Sequence, residues 1–168
     1  MWFFNFMHYL QFVILSVFYY LCISSPVLKN IIKVMPVIVA GIFAIDIFVL
    51  EGIKAYNSIS AGVKSIVILI YGAVFFLQLL KDKSLIEKSI YIDSLPSFWY
   101  NSGIFIYFCT IFLFNISYNL LQSQAANGAS KTNITIAILS INNMVGLIAM
   151  ILLYIGLSKL KKLRYADS

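Results

Sequence analysis

Ser65-Ile66-Val67-Ile68-Leu69-Ile70-Tyr71 shows no alternation of polar and apolar side chains, and that absence decides the fold class. A strand of a membrane barrel would alternate lipid-facing and lumen-facing residues. Neither this run nor the longer stretch from Ile104 to Phe114 does so. Inside lipid, every backbone N–H and C=O must be satisfied within the protein, which leaves only helices or closed barrels. Helices remain. That lipid is the solvent follows from composition: of 168 residues, 62% are hydrophobic and 11% charged, and the mean hydropathy is +0.96. A soluble domain averages about 45–50% apolar and about 25% charged residues. A chain this short leaves much of its surface outside any core, so it has nowhere but a bilayer to place that apolar excess.

Working outward from the run, the pattern predicts an all-α integral membrane helix bundle of about five transmembrane helices, at residues 4–24, 34–56, 61–80, 96–121 and 132–158, in a single transmembrane domain. Ser24-Ser25-Pro26 ends the first helix. No basic residue precedes it, as a cleaved signal peptide would require. Pro36 is placed in the first turn of the second helix, where a missing N–H costs little. Tyr56–Ser60 is a polar turn, and residues 81–96 form the one sizeable loop, with Leu85, Ile86 and Ile90 spaced as in a short interfacial helix. Residues 122–132 are small and polar and read as a loop.

The formal charge is +6, and its distribution concerns orientation rather than nucleic acid. Lys54, Lys64 and Lys131 fall on one side of the five-helix alternation. Lys29, Lys33, Lys81, Lys83, Lys88, Lys159, Lys161, Lys162 and Arg164 fall on the other. The expectation is a cell-membrane protein with its N-terminus outside and its C-terminus in the cytoplasm, in contact with the lipid bilayer and with no nucleic-acid partner.

Asp46 is the one acidic residue well inside an expected span. An acid at mid-helix costs about 2.5–3.5 kcal/mol on insertion scales, so it stands as a functional candidate, a proton or cation site. The structural alternative is an acid that reaches interfacial water near Glu51, or one held protonated by a neighbour. Asn101, Asn115 and Asn119 share one face of the fourth helix, because separations of 14 and 18 residues return within about 40° of the starting direction. His8 and Gln11 share a face of the first. Such amides commonly join helices, by about 0.6 kcal/mol per contact. The alternative is a polar cavity in which Asp46 supplies the charge.

Cys22 and Cys109 each sit in an apolar run and read as inert thiols. The HExxH, GxSxG, Walker A and GxGxxG patterns are absent, and His8 is the single histidine. The expectation is therefore a protein that is not an enzyme and has no metal and no cofactor.

The segment Leu95-Pro-Ser-Phe-Trp-Tyr-Asn-Ser-Gly-Ile-Phe-Ile-Tyr107 resembles a PxFWxxxGxxxYF signature of small multi-pass bacterial membrane proteins, often encoded beside two-component sensor kinases. The turn at Tyr56–Ser58 and the run from Ile70 to Leu77 are similar to that group as well. No activity is carried by the resemblance. It implies a context: a membrane sensor, or a partner of a sensor kinase or of another membrane protein. In physical terms, Phe98, Trp99 and Tyr100 form an interfacial anchor at the entry of the fourth helix. Gly103 permits close approach of a neighbouring backbone.

Three functional readings follow. The first is a non-enzymatic sensing or accessory component of membrane signalling. The second is a small ligand-binding or transport bundle using Asp46 and the amides, although paired broken helices and inverted repeats, the usual marks of transporters, are not evident. The third is a lipid-modifying enzyme. It is disfavoured because lysines interleave with Asp82, Glu87 and Asp93 as on a solvated surface.

Overall fold

The computed structural model describes residues 2–50, 58–83, 91–123 and 128–166. They are helical apart from short links, with no strand among them. The helices are α1 (Trp2–Cys22), α2 (Pro26–Ile45, continued by a π-helical turn at Asp46–Leu50), α3 (Ser58–Lys81), α4 (Pro96–Ser123) and α5 (Gly128–Ala166). A 3-10 turn at Ile92–Ser94 precedes α4. All five helices contain stretches long and apolar enough to cross a membrane. The chain forms two compact units, residues 1–71 and 72–168, with the boundary inside α3.

The periodicity of the buried residues explains the first unit. On α1 and one residue past its end, Asn5, Phe12, Ser16, Tyr19 and Ile23 are buried, at i, i+7, i+11, i+14 and i+18. On α2, Ile32, Val39, Phe43 and Asp46 repeat the first four terms of that series. Such a stripe is the face one helix offers another. Tyr9 packs edge-on against Phe43, with ring centroids 6.0 Å apart, and its hydroxyl donates to the Pro36 carbonyl at 3.3 Å. Tyr19 stacks at a tilt on Tyr71 of α3 with centroids 5.6 Å apart. The opposite faces carry large exposed apolar side chains such as Leu21, Val37 and Phe48, which is the arrangement lipid requires.

In the second unit, α4 and α5 meet through two glycine notches. A Cβ on Gly103 would lie 3.0 Å from the Ala149 carbonyl oxygen, so this glycine admits the α5 backbone, as the sequence expects. Reciprocally, a Cβ on Gly156 would lie 2.9 Å from the Tyr100 ring and 3.1 Å from the Pro96 carbonyl. Close approach of backbones at small residues is a main source of helix association in lipid.

Several helix boundaries differ from expectation, and the third helix begins at Ser58, inside the expected polar turn at 56–60. The second helix begins at Pro26 rather than near residue 34. Ser25 is extended (φ −66°, ψ 122°), and Pro26, which needs no N–H at the first helical position, opens the helix there. Pro36 therefore lies in the helix interior, where it has no N–H to offer the Ile32 carbonyl. The expected end of this helix at residues 51–56 lies outside the described residues, as does the interfacial helix expected around residues 85–90. The fifth helix runs 39 residues, through Lys131 and through the basic tail, instead of 132–158. Lysines and arginine are strong helix formers and interact favourably with the C-terminal end of a helix dipole, so the tail extends the helix.

Candidate intramembrane polar site

Asp46, expected inside a span, and Lys64, expected near the start of the third helix, are both buried in the first unit. Asp46 is fully buried at the start of the π-helical turn that continues α2. The π turn takes an i→i+5 hydrogen-bond pattern, which changes the direction of the side chains it carries; single π turns are frequent at functional sites. Asp46 Oδ2 accepts two hydrogen bonds from Ser60 of α3, one from the backbone N–H at 2.9 Å and a short one from the hydroxyl. Asp46 Oδ1 is buried with no hydrogen-bond partner among the described residues.

Four residues along α3 from Ser60, one helical turn or about 6 Å deeper, Lys64 is 1% exposed. Its Nζ lies 2.9 Å from His8 Nδ1 and donates to Gln11 Oε1 at 3.0 Å. An ammonium has only donors, so the contact fits a His8 with its proton on Nε2. The Ser65 hydroxyl, also buried, donates to the Ala61 carbonyl at 2.8 Å. Asp46, Ser60, Lys64, His8 and Gln11 thus form a polar layer contributed by α1, the π turn after α2, and α3. The antiparallel succession of these helices brings the start of α1, the end of α2 and the start of α3 to one end of the unit.

The role of Lys64 changes accordingly. The sequence places it among the outward loop charges, but it points into the protein, where His8 and Gln11 take the place of water. With Lys64 removed from the tally, the outer side keeps Lys54 and Lys131 against nine basic residues on the other. The spacing held the signal: Ser60 and Lys64 are i, i+4, and Asn5, His8, Gln11 and Ser16 run along one side of α1. A lysine near a helix end reads by default as a snorkelling residue, and that default concealed it.

The helix-four amides belong to the second unit. Asn101 is fully buried and donates to the Gly72 carbonyl at 3.1 Å. Asn115 is 2% exposed. The Asn119 side chain lies outside the described residues, although its backbone is helical. Fourteen residues separate Asn101 from Asn115, about 21 Å of helix. A single small ligand cannot bridge that length, so these amides do not line one compact site.

The three aromatic residues of the anchor all touch protein. Phe98 meets Phe76 and Trp99 edge-on, at 5.9 and 5.6 Å between centroids. Trp99 Nε1 donates to the Asp93 carbonyl at 2.6 Å, and Tyr100 fills the notch at Gly156. Lys159 lies 5.4 Å above the Trp99 ring and 3.7 Å from the Asp93 carboxylate, tying α5 to the segment before α4. Among the described residues, no group of three or more His, Cys, Asp and Glu gathers as a metal site would need. Against family models, curated proteins and solved structures, the chain has no match.

Proposed function

We propose that this protein is a non-enzymatic sensing or accessory component of membrane signalling, and that the polar layer of its first unit is the part that senses. The supporting observation is the burial of two ionisable residues, Asp46 and Lys64, within helices of one small membrane unit. Ionisable residues inside a membrane are expensive, and they are by default candidates for function. A layer assembled from three helices couples the charge state of one residue to the packing of all three. Signalling needs such an element, one whose two arrangements differ by a few kcal/mol. In this reading the protein lies in a bacterial cell membrane with its N-terminus outside. The polar layer then lies toward the outer face, and the basic end of α5 reaches the cytoplasm. The output passes through helix contacts to a sensor kinase or another membrane protein.

Asp46 Oδ1, which has no hydrogen-bond partner among the described residues, favours a second reading, in which the layer takes up a proton or a small cation as part of ligand binding or transport. Affinity purification of the tagged full chain from native membranes in mild detergent separates the two. Specific recovery of a sensor kinase supports signalling. Recovery of the protein alone, with cation uptake into vesicles that Asp46→Asn abolishes, supports transport.

A further inference from the structure

The other end of the first unit carries a different kind of site. Between α1 and α2, a groove of about 300 Å³ is lined by Val13, Ser16, Val17 and Tyr20 from one helix and by Ile32, Lys33 and Pro36 from the other. That volume is at the lower end of the range for small-molecule sites, about 300–1,000 Å³. Its walls are apolar except at two places. On the groove wall, Ser16 is 2% exposed, and its hydroxyl lies against that of Tyr71. At the mouth stands Lys33, with Lys29 one turn before it on α2 and 5.5 Å from the ring of groove residue Tyr20. Residues 1–45 contain no Asp or Glu that would compete for these two lysines.

We infer that this groove binds an anionic phospholipid, with its phosphate on Lys29 and Lys33 and one acyl chain along Val13, Val17 and Ile32. Several properties of the groove converge on that occupant. The charge at the mouth is positive and doubled on one helix face. The walls match a hydrocarbon chain. Pro36 adds to the fit, because its ring occupies the helix interior without an N–H and contributes to the wall instead. The lysines belong to the side with the larger basic count, and a basic pocket between transmembrane helices on that side is the usual place for an anionic headgroup.

Native mass spectrometry of the full chain in detergent, with equal amounts of phosphatidylglycerol and phosphatidylcholine added, tests the inference. The wild type should retain phosphatidylglycerol several-fold more than phosphatidylcholine. Lys29→Gln with Lys33→Gln should lower that retention by about five-fold per lysine. Val17→Phe, at a lipid-facing position that tolerates bulk, should lower retention of the lipid with both lysines intact. Lys161→Gln with Lys162→Gln should leave it unchanged, and gel filtration of each variant checks that it is folded. Equal retention of the two lipids overturns the inference. So does unchanged binding in the Lys29/Lys33 variant, or a loss confined to the Lys161/Lys162 variant, which would place the lipid at the basic tail.

Discussion

Asp46 and Lys64 differ in how their surroundings compensate for burial, and the difference predicts how each responds to substitution. Asp46 keeps one oxygen bonded to Ser60 and one without a partner among the described residues, while Lys64 is met by His8 and Gln11. An amide at position 46 retains an acceptor for the Ser60 N–H and hydroxyl. Asp46→Asn is therefore expected to cost about 1 kcal/mol or less, whereas Asp46→Leu, which strands both donors in a buried place, should cost about 2–4 kcal/mol. Lys64→Met preserves the length of the side chain but removes the charge that shares the layer with Asp46. It should destabilise the wild type more than it destabilises the Asp46→Asn variant, with a coupling of about 0.5–3 kcal/mol in a double-mutant cycle measured by thermal melting in detergent. A coupling near zero would mean that the two charges are solvated independently. Asp46 was legible in the sequence because it is the one acid within a long apolar run. Its partner Ser60 was not, because a serine at the start of a helix, next to a polar turn, reads first as part of the turn.

Helix contacts make predictions of opposite sign for glycines that look alike in sequence. Gly103 and Gly156 each face a neighbour that leaves no room for a methyl group, so Gly103→Ala or Gly156→Ala forces α4 and α5 apart and should cost about 1–3 kcal/mol. Gly146, on the same α5, has nothing within 4 Å of the added Cβ, and Gly146→Ala should be neutral or stabilising by up to about 1 kcal/mol, the difference in helix propensity. Melting temperatures of the three variants in one detergent decide the matter. A uniform stabilisation would refute the packing described at the α4–α5 seam. At this scale the sequence was informative about helix centres and weak about their ends. Apolar runs placed every helix, and the aromatic–glycine segment before Tyr107 placed the notch at Gly103. The start of the second helix was misplaced because two prolines compete for the first-turn position. The end of the fifth was misplaced because a charged tail carries no apolar period, yet extends a helix through propensity and charge.

For the whole molecule, the helical membrane architecture is set by composition, which leaves lipid as the one solvent able to accept so much apolar surface. What composition did not contain was the pairing of helices, since lipid-facing and protein-facing leucines and valines look the same in a sequence. Only the polar residues mark the inner faces, and those of α1 and α3 had to be seen together to form a layer. Orientation is a proposal with its own test. The 39 residues of α5 span about 58 Å, well beyond a hydrocarbon core of about 30 Å, so both of its ends emerge. In a chain with Cys22 and Cys109 replaced by serine, Lys131→Cys should react with a membrane-impermeant thiol reagent from outside, and Lys161→Cys only after the membrane is opened. Reaction of both from the same side would refute the five-span topology.

The buried polar layer either acts in signalling or only holds three helices together. The measurement that separates these most directly is kinase recovery per unit of folded protein, comparing the tagged wild type with Asp46→Asn in native membranes. A sensing role predicts that kinase recovered with Asp46→Asn changes several-fold while the amount of folded protein stays close to that of the wild type. Recovery that falls in step with folded protein, or no kinase recovered with either, would contradict it.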